Sequence, residues 1–280
     1  MKNGVKPAFE DKQSIGLKGK LNLDEPVYTI SREAIEADLK ESLRGVLSKK
    51  ALLRLLNLSE GYWKHDGHGP HALLTRGSHS DSFVMSKKLL LDSSIRQIII
   101  EQLTMKIKFF MRKESGLADP EYISAVPTGA NALAYGLSKE FVIPTINLKR
   151  NDAGFSSIDD AEPDYENINI LVVEDVITTG WSVSETLYTL LLGLSNNVSI
   201  FPGIFCIVNR SKLTHIVIRL VPLTGGDDKG PLLRIPIIAL IDEAMNKWEP
   251  EECPLCAKGS EAISPKDGDN WDRLLMLTEA

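Results

Sequence analysis

Cysteine is scarce in this 280-residue chain: Cys206, Cys253 and Cys256 are the only three. Three thiols do not form a disulfide framework, so the chain is expected to rely on an apolar core in a reducing, cytoplasmic setting. No apolar run approaches the roughly 20 residues a membrane-crossing helix needs, and the Lys-rich, Gly-containing N-terminus has no signal-peptide core. An excess of basic charge is also lacking. Lys and Arg number 32 against 38 Asp and Glu, a formal charge of −6, so general nucleic-acid binding is not favoured. Internal repeats and low-complexity tracts are missing as well. The length suits one large domain with extensions, or two modest ones.

What is present is concentrated at residues 168–183. Ile170 to Val173 are β-branched or leucine, the composition of a short strand buried on both faces. Glu174 and Asp175 follow as fixed acceptors, suited to vicinal ribose hydroxyls or to a hydrated divalent cation. In Thr178-Thr179-Gly180-Trp181-Ser182, hydroxyls and consecutive backbone N–H groups are placed to converge on one phosphate. Gly180 allows a close turn, and a helix starting near Ser182 adds the positive end of its dipole. Val183, Thr186, Leu187, Leu190 and Leu191 then trace one packed helical face. Ligands of open α/β sheets bind at this end of the strands.

The string Val172-Val173-Glu174-Asp175-Val176-Ile177-Thr178-Thr179-Gly180-x-Ser182 resembles the PRPP-binding signature of type I phosphoribosyltransferases, and its Glu-Asp-Val-x-Thr-Thr-Gly form is most similar to orotate phosphoribosyltransferase. Trp181 departs from the small residue usual at its position. The resemblance implies a three-layer α/β fold with a mostly parallel central sheet, an N-terminal helical extension and a small hood. It also implies Mg²⁺-dependent transfer of a phosphoribosyl group from PRPP to orotate in a homodimer. On that reading Glu174 and Asp175 hold the ribose and its developing charge, with Asp175 an indirect Mg²⁺ partner. Thr178, Thr179, Gly180, Trp181 and Ser182 surround the 5′-phosphate.

Three other segments extend the resemblance. Val126-Pro127-Thr128-Gly129-Ala130-Asn131 resembles the family's pyrophosphate loop, which implies a pyrophosphate role for Thr128 and Gly129. In the stretch from Ala72 to Phe83, Gly77, Ser80 and Phe83 fit the hood pattern of orotate enzymes, while Arg76 stands in place of Ser. Phe83 is expected to offer a ring face to the base and Ser80 a polar edge. Asn209-Arg210 matches an Asp-Arg pair whose Arg faces the substrate carboxylate, for which a guanidinium is the natural bidentate partner.

The segment from Leu148 to Phe155 departs most. Lys149 and Arg150 retain two cations that would neutralise departing pyrophosphate, but the family's second Lys and its His have no counterpart. Asp152 and the acids Asp159, Asp160, Glu162 and Asp164 oppose charge on pyrophosphate. Two further classes therefore stay open: a PRPP- or nucleotide-binding regulator without turnover, and a transferase for another base.

Along the chain, residues 1–58 read as an arm and helical extension, 59–245 as the phosphoribosyltransferase domain, and 246–280 as an appended tail. One helix is expected from Glu33 to Leu58 and another from Leu89 to Met111. Cys253-Pro254-Leu255-Cys256 has the spacing of one zinc knuckle. A closed site needs four ligands and there is no second such pair, so thiols in a turn are the simpler reading. His65, His68, His71 and His79 read as solvated loop residues.

Overall fold

The computed structural model describes residues 46–75, 77–113, 118–150, 156–158, 168–194, 198–219 and 232–276. The expected N-terminal arm, the first half of the first helix, Arg76 and the loop from Asn151 to Phe155 with its acidic continuation lie outside them. In chain order the first elements are α1 (Lys49–Leu58), β1 (Tyr62–Lys64), β2 (His71–Leu73), β3 (His79–Ser80), β4 (Ser82–Val84), α2 (Ser86–Leu91) and α3 (Ser93–Lys113). Next come β5 (Tyr122–Ala125), α4 (Asn131–Phe141), β6 (Thr145–Ile146), β7 (Leu148–Arg150), β8 (Ser156–Ile158), β9 (Asn169–Ile177) and α5 (Trp181–Gly193). The chain continues through β10 (Ser199–Asn209), β11 (His215–Arg219), β12 (Leu232–Asp242), β13 (Lys247–Trp248), β14 (Ala262–Ile263) and α6 (Asn270–Met276).

The main sheet has the order β11-β12-β10-β9-β5-β6. All its pairings are parallel except β11 with β12. Alternation along β9 explains how both faces are covered. Leu171 and Val173 join Phe205 and residues of α1 to α4 in one core. Ile170 and Val172 join Ile204, Cys206 and the Val183, Leu187 and Leu190 face of α5 in the other. The result is the three-layer α/β architecture that the strand–helix alternation predicts.

The expected helix from Leu89 to Met111 is two helices. Asp92 adopts an extended backbone between them, and its carboxylate accepts from the backbone N–H of Ser94 and Ile95 at 2.9 and 3.0 Å. Apolar periodicity ran through this junction, whereas the Asp-Ser-Ser sequence carries the N-cap signal. Helix α1 starts at Lys49 because Ser48 caps it, its hydroxyl accepting from Ala51 N at 3.2 Å. Leu55 and Leu56 of α1 are each 1% exposed, and truncating either to Ala is expected to cost about 2–5 kcal/mol.

Residues 246–276 are integral rather than appended. A second sheet, ordered β13-β3-β2-β14, takes its outer strands from this segment and its inner strands from residues 71–80. Trp271 of α6 packs with Phe83, Trp63, Ile263 and Leu274 in a separate core beneath it, and its indole N–H donates to Glu60 O at 3.0 Å. The hood is thus built from segments far apart in the chain, pairing residues 167–191 positions apart in a way no local pattern encodes.

Candidate active site

Strands β5 and β9 lie side by side in parallel, with Ala125 opposite Val173. Each ends in a loop that starts a helix, so α4 and α5 begin at the same edge of the sheet. Neither helix has a side-chain cap: Ala130 precedes α4 and Gly180 precedes α5. Trp181 N, at the start of α5, donates to Thr179 Oγ1 at 3.4 Å, and the positive ends of two helix dipoles face this edge, an arrangement suited to anions.

Gly180 holds φ +75°, and a Cβ there would meet Ile216 Cδ1 at 2.7 Å. Backbone conformation and space together restrict this position to glycine. Thr178 and Thr179 are exposed at the lip. Trp181 is 55% exposed, so its indole stands toward solvent and not within the packed core. Arg150 reaches this cup from β7: Nη2 donates to Ser182 Oγ at 3.1 Å and lies 3.9 Å from Glu185 Oε2. A guanidinium held there adds positive charge to this edge of the sheet. Lys149, its neighbour, is exposed.

Glu174 and Asp175 are not equivalent. Strand β9 runs on to Ile177, so both carboxylates belong to the strand and not to the loop beyond it. Glu174 is 6% exposed, and burial, followed by the charge of Asp175, raises its carboxyl well above the usual carboxylate range. Asp175 is half-buried and is the carboxylate that touches the second loop. A Cβ added to Gly129 would fall 2.2 Å from Asp175 Oδ2. The absence of a side chain at Gly129 therefore lets the 126–131 loop close onto Asp175. Thr128 and Gly129 are exposed beside it, and the Pro127–Thr128 peptide is cis.

The expected base-facing residues occupy the junction between the two sheets. Arg210 is 6% exposed and Ser80 is fully buried. Arg210 Nη2 donates to Ser80 Oγ at 2.9 Å and to Ser82 O at 3.3 Å. Burial lowers the Arg210 guanidinium from its ordinary value, while Asp81 and Tyr62 oppose that shift. Tyr62, which its place in the sequence does not single out, has its phenol pushed up to about 12, first by burial and then by Glu243 and Asp81. Phe83 does not present a free ring face: it is 8% exposed, and its ring meets Trp271 edge-on at 5.9 Å. Its partner comes from the C-terminal segment, so its role as core was not readable from residues 72–83.

Asn209 takes the place of an acidic residue with a clear compensation. Its Nδ2 donates to Asp242 Oδ1 at 2.8 Å and to Leu213 O at 2.9 Å, and its Oδ1 accepts from Ser211. A carboxylate there would face Asp242 with like charge. Beyond β12, Glu243 N donates to Asn209 O and Met245 N to Arg210 O, which guides the chain past the site and into the second sheet.

No family-level sequence profile matches the chain. Among curated proteins, the orotate phosphoribosyltransferase of Thermoanaerobacter sp. is 27% identical over 195 residues, covering 70% of this chain and 87% of the relative. That of Sulfurimonas denitrificans is 28% identical over 202 residues, covering 71% and 92%. The crystal structure of orotate phosphoribosyltransferase from Aeropyrum pernix overlaps 57% of this chain and 83% of its own, at 19% identity and a TM-score of 0.43. With relatives matched over nearly their whole length, and with the string at 172–182 leading into α5 beside the start of α4, the chain is similar to the orotate phosphoribosyltransferases, which are type I phosphoribosyltransferases.

Proposed function

We propose that the chain transfers the 5-phosphoribosyl group of PRPP to a ring nitrogen of orotate, giving orotidine 5′-monophosphate and pyrophosphate. The observation that carries this reading is the Gly129–Asp175 approach, which joins the pyrophosphate-type loop to the ribose-type carboxylate at one sheet edge. Bond making is between the base nitrogen, whose proton passes to solvent, and C1 of the ribose; the C1–O bond to pyrophosphate breaks, and the leaving oxygen keeps the electron pair. No protein nucleophile is needed, so catalysis rests on positioning and on charge placed where it develops.

In this assignment the N-terminus of α5, with Thr178, Thr179, Gly180, Trp181 and Ser182, receives the 5′-phosphate. Thr128 and Gly129 at the start of α4 receive pyrophosphate. Asp175 faces the ribose hydroxyls, and Glu174 supports it from within the sheet. Lys149 and Arg150 supply the cations for the leaving group. A guanidinium carries five N–H donors, and those of Arg210 beyond the Nη2 bonds to the second sheet are the natural bidentate partner for a substrate carboxylate. The carboxylate of Asp175 is a hard oxygen ligand of the kind Mg²⁺ takes, and it would hold the ion indirectly, through water. When bound, it neutralises charge building on pyrophosphate. A cytoplasmic homodimer accords with this chemistry, and no helix among the described residues is long and apolar enough to cross a membrane.

The test is a pyrophosphate-release assay with PRPP, Mg²⁺ and a panel of bases, with Asp175→Asn as control. Orotate-dependent release that Asp175→Asn abolishes is the expected outcome; release unaffected by that change would remove the site. A second reading, binding without turnover, is favoured by the missing second Lys and His after Arg150. Calorimetric PRPP binding with no release for any base would establish it, and release with a base other than orotate would reassign the acceptor.

A further inference from the structure

The four-strand second sheet gathers side chains that the proposed reaction does not use. His71 on β2 and His79 on β3 face Cys253 and Cys256 in the turn after β13, and their ligand atoms all lie within 4.8 Å of one another. His71 Nε2 lies 3.0 Å from His79 Nδ1, 3.5 Å from Cys253 Sγ and 3.6 Å from Cys256 Sγ. Cys256 Sγ lies 3.2 Å from His79 Nδ1. Zn–S bonds of about 2.3 Å and Zn–N bonds of about 2.0–2.1 Å at tetrahedral angles place ligand atoms roughly 3.3–3.8 Å apart. The observed separations fall at or just inside that spacing.

Second contacts prepare the cluster for a cation. His71 Nδ1 is 2.8 Å from Ser260 Oγ, and that hydroxyl donates its only proton to Gly69 O at 2.7 Å. Ser260 therefore accepts from His71, which puts the ring proton on Nδ1 and aims the Nε2 lone pair into the cluster. Such an outer hydrogen bond is the usual way a ligating imidazole is oriented. The Cys-x-x-Cys turn is closed by Ala257 N donating to Cys253 O and Gly259 N to Cys256 O, with Gly259 at φ +84°. His71 is fully buried, His79 is 7% exposed and Cys253 3%. Two thiolates and two neutral imidazoles would balance a dication, whereas the same interior without one leaves four polar ligand atoms facing each other.

We infer that His71, His79, Cys253 and Cys256 form a structural zinc site that clamps the C-terminal segment onto the second sheet. Sulfur and imidazole in a tetrahedral set select Zn²⁺ over the oxygen-seeking Mg²⁺. All four positions are filled by protein, so the site is closed and structural. Binding displaces the thiol protons as the thiolates form. The clamp also bears on the neighbouring junction, because His79 is followed directly by Ser80, the partner of Arg210. This inference rests on nothing in the proposed reaction, and a chain without transferase activity would still bind the metal.

Metal analysis of the full-length chain, purified reduced and without chelators, is expected to give one zinc per chain. Replacement with Co²⁺ is expected to produce a thiolate-to-cobalt charge-transfer band with tetrahedral d–d bands. Cys256 is exposed, so Cys256→Ser should retain the far-ultraviolet circular dichroism of the parent while losing much of the charge-transfer intensity and at least tenfold in Co²⁺ affinity. Absence of both zinc and the cobalt band in the reduced parent chain would overturn the site, as would a Cys256→Ser chain with the parent's spectrum and affinity. The parent measurement decides the matter even if the variant does not fold.

Discussion

Arg210 and Ser80 lie 130 positions apart, yet the Arg210 guanidinium donates to the Ser80 hydroxyl at 2.9 Å. This contact ties the C-terminal edge of the parallel sheet to the second sheet, and it is satisfied on both sides. Ser80 also offers its proton to Asn246 O and Ser82 O, at 2.6 and 2.9 Å. Ser80→Ala should leave a buried cation with one acceptor fewer, a loss of about 1.5–3 kcal/mol for a hydrogen bond to a charged group. Thermal unfolding should report it as a lower midpoint. If Arg210 addresses the base, the same variant should raise KM for the base more than it lowers kcat.

Gly129→Ala would place a methyl group against the Asp175 carboxylate, where a Cβ would lie 2.2 Å from Oδ2. The loop or the carboxylate must then move. PRPP affinity is expected to fall by at least tenfold, about 1.4 kcal/mol, with the circular dichroism spectrum unchanged. Calorimetry with PRPP and Mg²⁺ measures this, and wild-type affinity in the variant would separate the 126–131 loop from the ligand.

Glu174 gives a prediction with a defined pH sign. Burial raises its folded-state pKa, so its stabilising contribution is complete below the ordinary Glu value of about 4.3 and is lost as pH rises through the raised value. Glu174→Gln removes the cost of ionising a buried carboxyl. The variant should therefore melt higher than the parent at neutral pH, with the difference closing as pH approaches about 4. Melting curves across that range would show the convergence; a difference constant with pH would contradict it.

Asp92 sets the boundary between α2 and α3 through its two bonds to Ser94 N and Ile95 N. Asp92→Ala should cost about 1 kcal/mol, the usual value of an N-cap. Urea titration should show a lower midpoint with the same slope, because the surface exposed on unfolding is unchanged.

The order of residues from Ile168 to Val183 was sufficient to place a buried strand, a glycine turn and a helix, because strand period, glycine turn and helical period are consecutive in one short stretch. The same holds for the strand and loop entering Asn131. Asp92 was legible in principle through its cap signal, but continuous apolar periodicity masked it. Phe83 illustrates the opposite case: the residue matched a binding pattern locally, and Trp271, far along the chain, turned its ring into core.

Sequence alone therefore determined the alternating α/β class and the carboxylate–hydroxyl–glycine edge at 174–182, since both are written in contiguous periodicity and turn chemistry. Tertiary structure decided which carboxylate meets the second loop, that residues 246–276 complete a sheet, and that His71 and His79 meet Cys253 and Cys256. Those outcomes depend on contacts between segments separated by as many as 191 positions. Hydrophobic burial and strand pairing bring such segments together through the fold as a whole, and neither leaves a local mark in the chain.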